Sequence, residues 1–142
     1  MNFARLFKIA ALVVVVVIAL SPGIAYLLGL QRAGGRPEAA KPSSISSAEI
    51  QAAWSRCGEQ LPMSVQRLNP WQLTVRFLFG DESRAGPGES AAHQVAAKHN
   101  LTHAAGTMGW WHLSDAALTI WITRHWSAEE IAATLVRDRL CM

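Results

Sequence analysis

Positive charge is scarce where a nucleic-acid binder would need it. The chain of 142 residues carries 13 Lys and Arg against 10 Asp and Glu, a formal charge of +3. Arg5, Lys8, Arg32, Arg36 and Lys41 lie in the first 42 residues, where Glu38 is the one acid. Residues 43–142 then hold eight basic and nine acidic side chains, net −1. No cluster of Lys and Arg remains on the part that can fold, which excludes a phosphate-backbone footprint and nucleic acid as a partner. Cysteine is nearly absent: Cys57 and Cys141 are the only two, so at most one bridge can form. Internal repeats are lacking, and the length suffices for one small domain plus an anchor but not for two substantial cores.

What is present begins with "IAALVVVVVIALSPGIAYLLGL", residues 9–30, a run of 22 without a charge. It is long enough to span the hydrocarbon core as a helix. Ser21-Pro22-Gly23 interrupts it and is a place for a kink. Arg5 and Lys8 before the run favour a cytoplasmic N-terminus, whereas Arg32, Arg36 and Lys41 after it pull the other way. A cleaved signal is the rival reading, with an apolar core over residues 9–20 and cleavage after Ala25. The run continues as "YLLGL" past that point, which favours an uncleaved anchor. Either reading carries the rest of the chain across the membrane. A helix lying flat at the surface would need a polar face, and none exists. The next stretch, "QRAGGRPEAAKPSSISS", has no apolar periodicity and reads as a flexible tether. The expected organisation is an anchor over 1–31, a linker over 32–47 and a helical domain over 48–142.

Ser46 and Glu49 have the spacing of a capping box, and Ile50, Ala53, Trp54 and Cys57 then share one helical face. Gly58 ends that helix. "NPWQLTVRFLFGDES" carries two periods. Trp71, Leu73, Val75, Phe77 and Phe79 alternate as in a strand, but Asn69 as N-cap with Pro70 at the first helical position favours a helix. "RAGPG" is a loop, residues 90–99 a short Ala-rich helix with Ser90 as N-cap, and "GTMGW" a turn. Trp110, Leu113, Ala117, Ile120, Trp121 and Arg124 follow the helical period over 110–126. Ser127 to Glu130 is a second capping box, and Ile131, Leu135 and Val136 give the last helix a buried face. The expected fold is all-α, with about five helices after the linker and six Trp to supply buried area. Beyond a membrane, Cys57 and Cys141 are expected to form a disulfide that ties the first helix of the domain to the C-terminus.

One stretch raises the question of chemistry: "GESAAHQVAAKHNL", residues 88–101. It resembles the G-G-S-T-I-T-Q-Q-L-A-K-N signature of the peptidoglycan glycosyltransferases, glycosyltransferase family 51. Gly88, Ser90, Gln94, Ala97 and Lys98 fall on its G, S, first Q, A and K. Glu89, Ala91, Ala92, His93, Val95 and His99 depart from it. Further on, "LSDAALTIWITRHWSAEEIAATLV" is similar in layout to the family's following helices. Asp115 and Ala116 fall on an E-A pair, and Ser127, Glu129, Glu130 and Ile131 on an S-x-E-E-I element. Together the two segments cover about 50 residues of the chain.

The resemblance implies part of a lysozyme-like transglycosylase fold on the periplasmic side of a bacterial inner membrane. It implies a role in cell-wall metabolism, with lipid II or glycan strands as ligand and cell-wall synthesis proteins as partners. Gly88, Ser90, Gln94 and Lys98 become substrate-binding positions. Departures weigh on activity. The family's E-D-x-x-F-x-x-H-x-G motif has no counterpart before Gly88, where only Asp81 and Glu82 stand. The second functional Glu aligns with Thr123, and the basic pair for pyrophosphate with Trp111 and His112. The family domain also continues past the position matched to Met142. Polymerisation needs a base and charge stabilisation for the leaving diphosphate. Glu82 and Glu89 are the only candidate catalytic carboxylates left, and a divalent cation would be needed only if transfer is retained. The expectation is therefore a catalytically impaired accessory or precursor-binding module. A minimal active polymerase and a structural subunit of an envelope complex are the alternatives.

Other constellations weigh less. His99 and His103 are spaced i, i+4, but "HNLTH" lacks the Glu of the helical metalloprotease motif, and a helix end near Asn100 would part them, so no metal is expected. Ser90 lacks the glycine setting of a nucleophile elbow. Trp110-Trp111 reads as core and rim before it reads as a sugar platform.

Overall fold

The computed structural model describes residues 3–79, 85–103 and 106–142. Among them all regular structure is helical: α1 Phe3–Arg32, a 3-10 turn Pro42–Ser44, α2 Ser47–Arg56, α3 Pro70–Phe79, α4 Glu89–His103, α5 Met108–His125 and α6 Ala128–Arg137. The expected all-α architecture is present, with five helices after the linker.

α1 is long and apolar enough, over Arg5–Arg32, to cross a membrane. Pro22 lies inside it without breaking it. A proline has no N–H to give the carbonyl four residues back. The Ser21 hydroxyl donates to that carbonyl, Ile18 O, at 2.9 Å. The helix therefore continues past the Ser-Pro-Gly interruption into the domain. Its last turns bury Gly29 and Leu30 against α5. A Cβ on Gly29 would lie 2.5 Å from Leu113 O and 2.7 Å from Ala117 Cβ, so only glycine allows this approach. The Arg32 guanidinium rests over the Trp110 ring, 4.7 Å from its centroid. Arg32 beside Trp110 and Gly29 beside Leu113 and Ala117 make the two helices antiparallel.

The core lies where α2, α4, α5 and α6 meet. Trp54, Val95, Leu118, Ile122, Ile131 and Leu135 are its large members, and Ala53, Ala91, Ala92, Ala96, Ala132 and Ala133 let the helices close on one another. Burying one large side chain there stabilises by about 1.5–3 kcal/mol. Both expected capping boxes form, with the Ser46 hydroxyl accepting from Glu49 N and that of Ser127 from Glu130 N. At the start of α3, Asn69 Oδ1 accepts from Gln72 N at 2.9 Å while Gln72 Oε1 accepts from Asn69 N at 3.2 Å. That reciprocal cap decides between the two periods of this segment in favour of the helix. Cys57 and Cys141 are disulfide-bonded, Cα to Cα 5.2 Å, across 84 positions.

Several boundaries differ from expectation, and α5 starts at Met108, inside the stretch expected as a turn, and ends at His125. α4 does not end near Asn100 but runs to His103. Asn100 is 1 % exposed, and its Nδ2 donates to Trp111 O, so its amide serves a tertiary contact and not a helix stop. α4 also starts one residue early, which puts Ser90 inside the first turn and removes its capping role. Residues 33–45 lie packed against the domain. Ala33 and Ala40 are small enough to be buried there, and Ala40 N donates to Thr134 Oγ1 at 2.9 Å.

Candidate functional site

The resembling stretch occupies α4, and its two ends do different things. At the N-terminal end the chain satisfies itself. α2 closes in a Schellman turn: Gly58 N donates to Ser55 O and Glu59 N to Trp54 O, with Gly58 in the left-handed region. That turn aims Glu59 at the start of α4. Its carboxylate accepts from Gly88 N at 2.8 Å, Ser90 N at 3.0 Å and Ala91 N at 3.3 Å. Free N–H groups and the helix dipole make such an end attractive to anions. Here a side chain of the protein is the anion.

The surrounding residues complete the joint. The Ser90 hydroxyl donates to Cys57 O, a carbonyl at the end of α2, at 3.1 Å. Gly88 has φ +77°, and a Cβ there would strike Val65 and Trp54, so glycine is required by packing. Glu89 is paired with Arg76 at 2.7 Å and accepts from Gly86 N at 2.9 Å. Gly88, Glu89 and Ser90 are thus bonded within the domain. Glu82 lies outside the described residues. Gln94 is exposed on α4.

One turn on, His93 Nδ1 meets Asp115 Oδ2 of α5 at 2.8 Å. Asp115 is 6 % exposed and its Oδ1 has no hydrogen-bond partner among the described residues. The bond to Asp115 raises the His93 imidazole above its ordinary range, against the opposing effect of partial burial. The sequence places His93 as a departure in the first resembling segment and Asp115 on the E-A pair of the second, and does not join them. The signal that could have joined them is the packing of α4 on α5, which no short-range spacing encodes.

The C-terminal half of α4 faces a cleft of about 340 Å³. Lys98, His99 and His103 form one wall, and Arg36, Arg137 and Asp138 stand among the residues opposite. Arg137 is held by Asp138 through two bonds, 2.7 and 3.0 Å, which raises its guanidinium further above its usual value. Arg36 donates to Leu30 O at 2.9 Å and rests 5.7 Å from the Trp121 ring centroid. The His99 and His103 rings stack 4.2 Å apart. His99 is held below the ordinary imidazole range, first by burial and then by the neighbouring His103. Arg36 and Lys98, with Glu38 as a second acid beside Asp138, also line the cleft, and among the described residues neither Arg36 nor Lys98 is ion-paired to an acid. Among the described residues no three His, Cys, Asp or Glu side chains gather as a metal site.

Lys98 lies nine residues from Glu89, about 13 Å along the helix axis. The structure does not bring the candidate carboxylate and the candidate diphosphate ligand together. Thr123, at the position of the family's second Glu, is buried; its hydroxyl accepts from Leu68 N at 3.3 Å and donates to Ile120 O. No family model, no curated protein and no solved structure matches this chain.

Proposed function

We propose that this chain is a single-pass protein of a bacterial inner membrane, with its N-terminus cytoplasmic and its helical domain periplasmic. The domain binds the diphosphate of a lipid-linked cell-wall precursor and does not polymerise it. The convergence of Lys98 with Arg36 on one cleft carries this reading, because Lys98 is the position that the resemblance assigns to diphosphate. The length of α1 supports the anchor, and the bond between Cys57 and Cys141 fits an oxidising compartment. Glycosyl transfer finds less support, since Glu89 is tied to Arg76.

A structural subunit of an envelope complex is the second reading. It is favoured by the internal bonding of Gly88, Glu89 and Ser90. Binding of a labelled lipid II analogue to the full-length protein in detergent separates the two. Lys98 is exposed, so Lys98→Ala leaves the fold intact. Loss of one charge-assisted phosphate contact should weaken binding about tenfold or more, with Lys98→Arg close to wild type. Equal binding by wild type and Lys98→Ala, or none by either, would sink the precursor-binding reading and leave the structural one.

A further inference from the structure

Resting on the reading of α1 as a membrane anchor, we infer that α3 is a second membrane element, lying in the outer interface of the bilayer with one apolar face among the lipids. Three observations lead there.

The first is a shortfall of length. A hydrocarbon core of about 30 Å needs about 20 helical residues. Lys8 is the last charge before the apolar run, and residues 9–20 are uncovered. Those 12 residues rise only about 18 Å. The span must therefore continue to about Leu28, through the segment that carries the domain. Ile24, Leu27 and Leu28 remain 53, 65 and 40 % exposed on the side the domain leaves open. The domain cannot stand clear of the membrane on a stalk.

The second is position. Gly29 is level with Leu113 and Ala117 on antiparallel α5. Arg124 lies seven residues beyond Ala117 on α5, about 10 Å further along, which sets it beside the stretch of α1 before Gly29 and no later than Pro22. Arg124 Nη1 donates to Leu68 O at 3.1 Å, and Leu68 leads directly into α3. α3 also packs on α1 itself. It is held beside the part of α1 that the length argument places in the outer leaflet.

The third is the face α3 turns outward. Trp71, Val75, Leu78 and Phe79 recur at i, i+4, i+7 and i+8, one helical stripe, and are 45, 43, 69 and 80 % exposed. The polar groups of the helix are used inside the protein. Gln72 closes the cap, the Thr74 hydroxyl donates to Pro70 O, and Arg76 pairs with Glu89. An apolar stripe continuous with a membrane span, with a Trp at its start, matches what the lipid interface accepts.

Site-specific labels in the full-length protein reconstituted into phosphatidylcholine–phosphatidylglycerol vesicles test this. A polarity-sensitive fluorophore is placed at Leu78→Cys, at Val14→Cys in α1 and at Gln51→Cys on the exposed face of α2. The expected result has Leu78 quenched by shallow lipid-attached nitroxide and shielded from aqueous iodide, with its emission shifted to the blue. Val14 should respond to deep nitroxide, and Gln51 to iodide alone. Val14 quenched from the lipid with Leu78 open to iodide overturns the inference and leaves the anchor standing. Val14 open to iodide overturns the anchor and this inference with it. Leu78→Asp with Phe79→Asp gives a second check. Both side chains are exposed, so the domain should stay folded while the double variant loses the lipid shielding of a label at Val75→Cys.

Discussion

Among single residues, His93 and Asp115 form the contact with the clearest consequence for solution behaviour. His93 has a folded-state pKa above its unfolded value, because the charged ring bonds to a buried carboxylate. The stability it contributes is fully present below the unfolded pKa of about 6.5 and is lost as pH rises through the higher folded value. His99 works in the opposite sense, since burial lowers its pKa and favours the neutral ring. A comparison with His93→Gln isolates the first effect. The advantage of wild type over the variant in urea midpoint should be greatest near pH 5 and shrink toward pH 8. A difference that is flat across that range would mean that the pair contributes only geometry. Glu59 shows what a local reading misses. Its partners lie 29 to 32 positions away, so no spacing rule points to it.

At the scale of elements, α1 and α5 meet through a glycine, and α3 turns on its cap. Gly29→Ala forces a methyl group into the Leu113 carbonyl and the Ala117 side chain. The helices must part, at a cost of about 1–3 kcal/mol. Gly23 has nothing within 4 Å of its would-be Cβ, so Gly23→Ala should change stability by no more than about 0.5 kcal/mol. Unfolding of the full-length protein in detergent compares the two. Equal effects would show that α1 does not rest on α5 in solution. α3 explains why the strand period was present without a strand. Five apolar residues alternate over 71–79, but the reciprocal Asn69–Gln72 cap commits the backbone to a helix. Trp71, Val75, Leu78 and Phe79 then form an outward stripe.

For the whole molecule, the disulfide ties the end of α2 to the C-terminus beyond α6. Cys57 ends α2, and Cys141 lies beyond a second Schellman turn in which Arg139 takes the left-handed position. Arg56 Nε also donates to Cys141 O at 3.2 Å. Closing a loop of 84 positions restricts the unfolded chain strongly. Replacing both cysteines by serine should cost about 2–5 kcal/mol, read as a lower urea midpoint in detergent. A loss below about 0.5 kcal/mol would show that α6 packing alone holds the C-terminus.

The apolar run of α1, the Ser46 and Ser127 caps, the Asn69–Pro70 start and the single possible cysteine pair were all legible in the sequence. Each rests on residue type or on contacts within about four positions, which the chain specifies before it folds. Tertiary structure alone decided the rest. It placed the Glu59 carboxylate on the N-terminus of α4, joined His93 to Asp115 and drew Arg36 to the cleft beside Lys98. It also packed the supposed tether against α6 and carried α4 past Asn100. The physical reason is common to these. A period in the sequence shows which face of a helix is apolar, but the partner that covers that face depends on how closely helices approach. Here alanines and Gly29 set that approach.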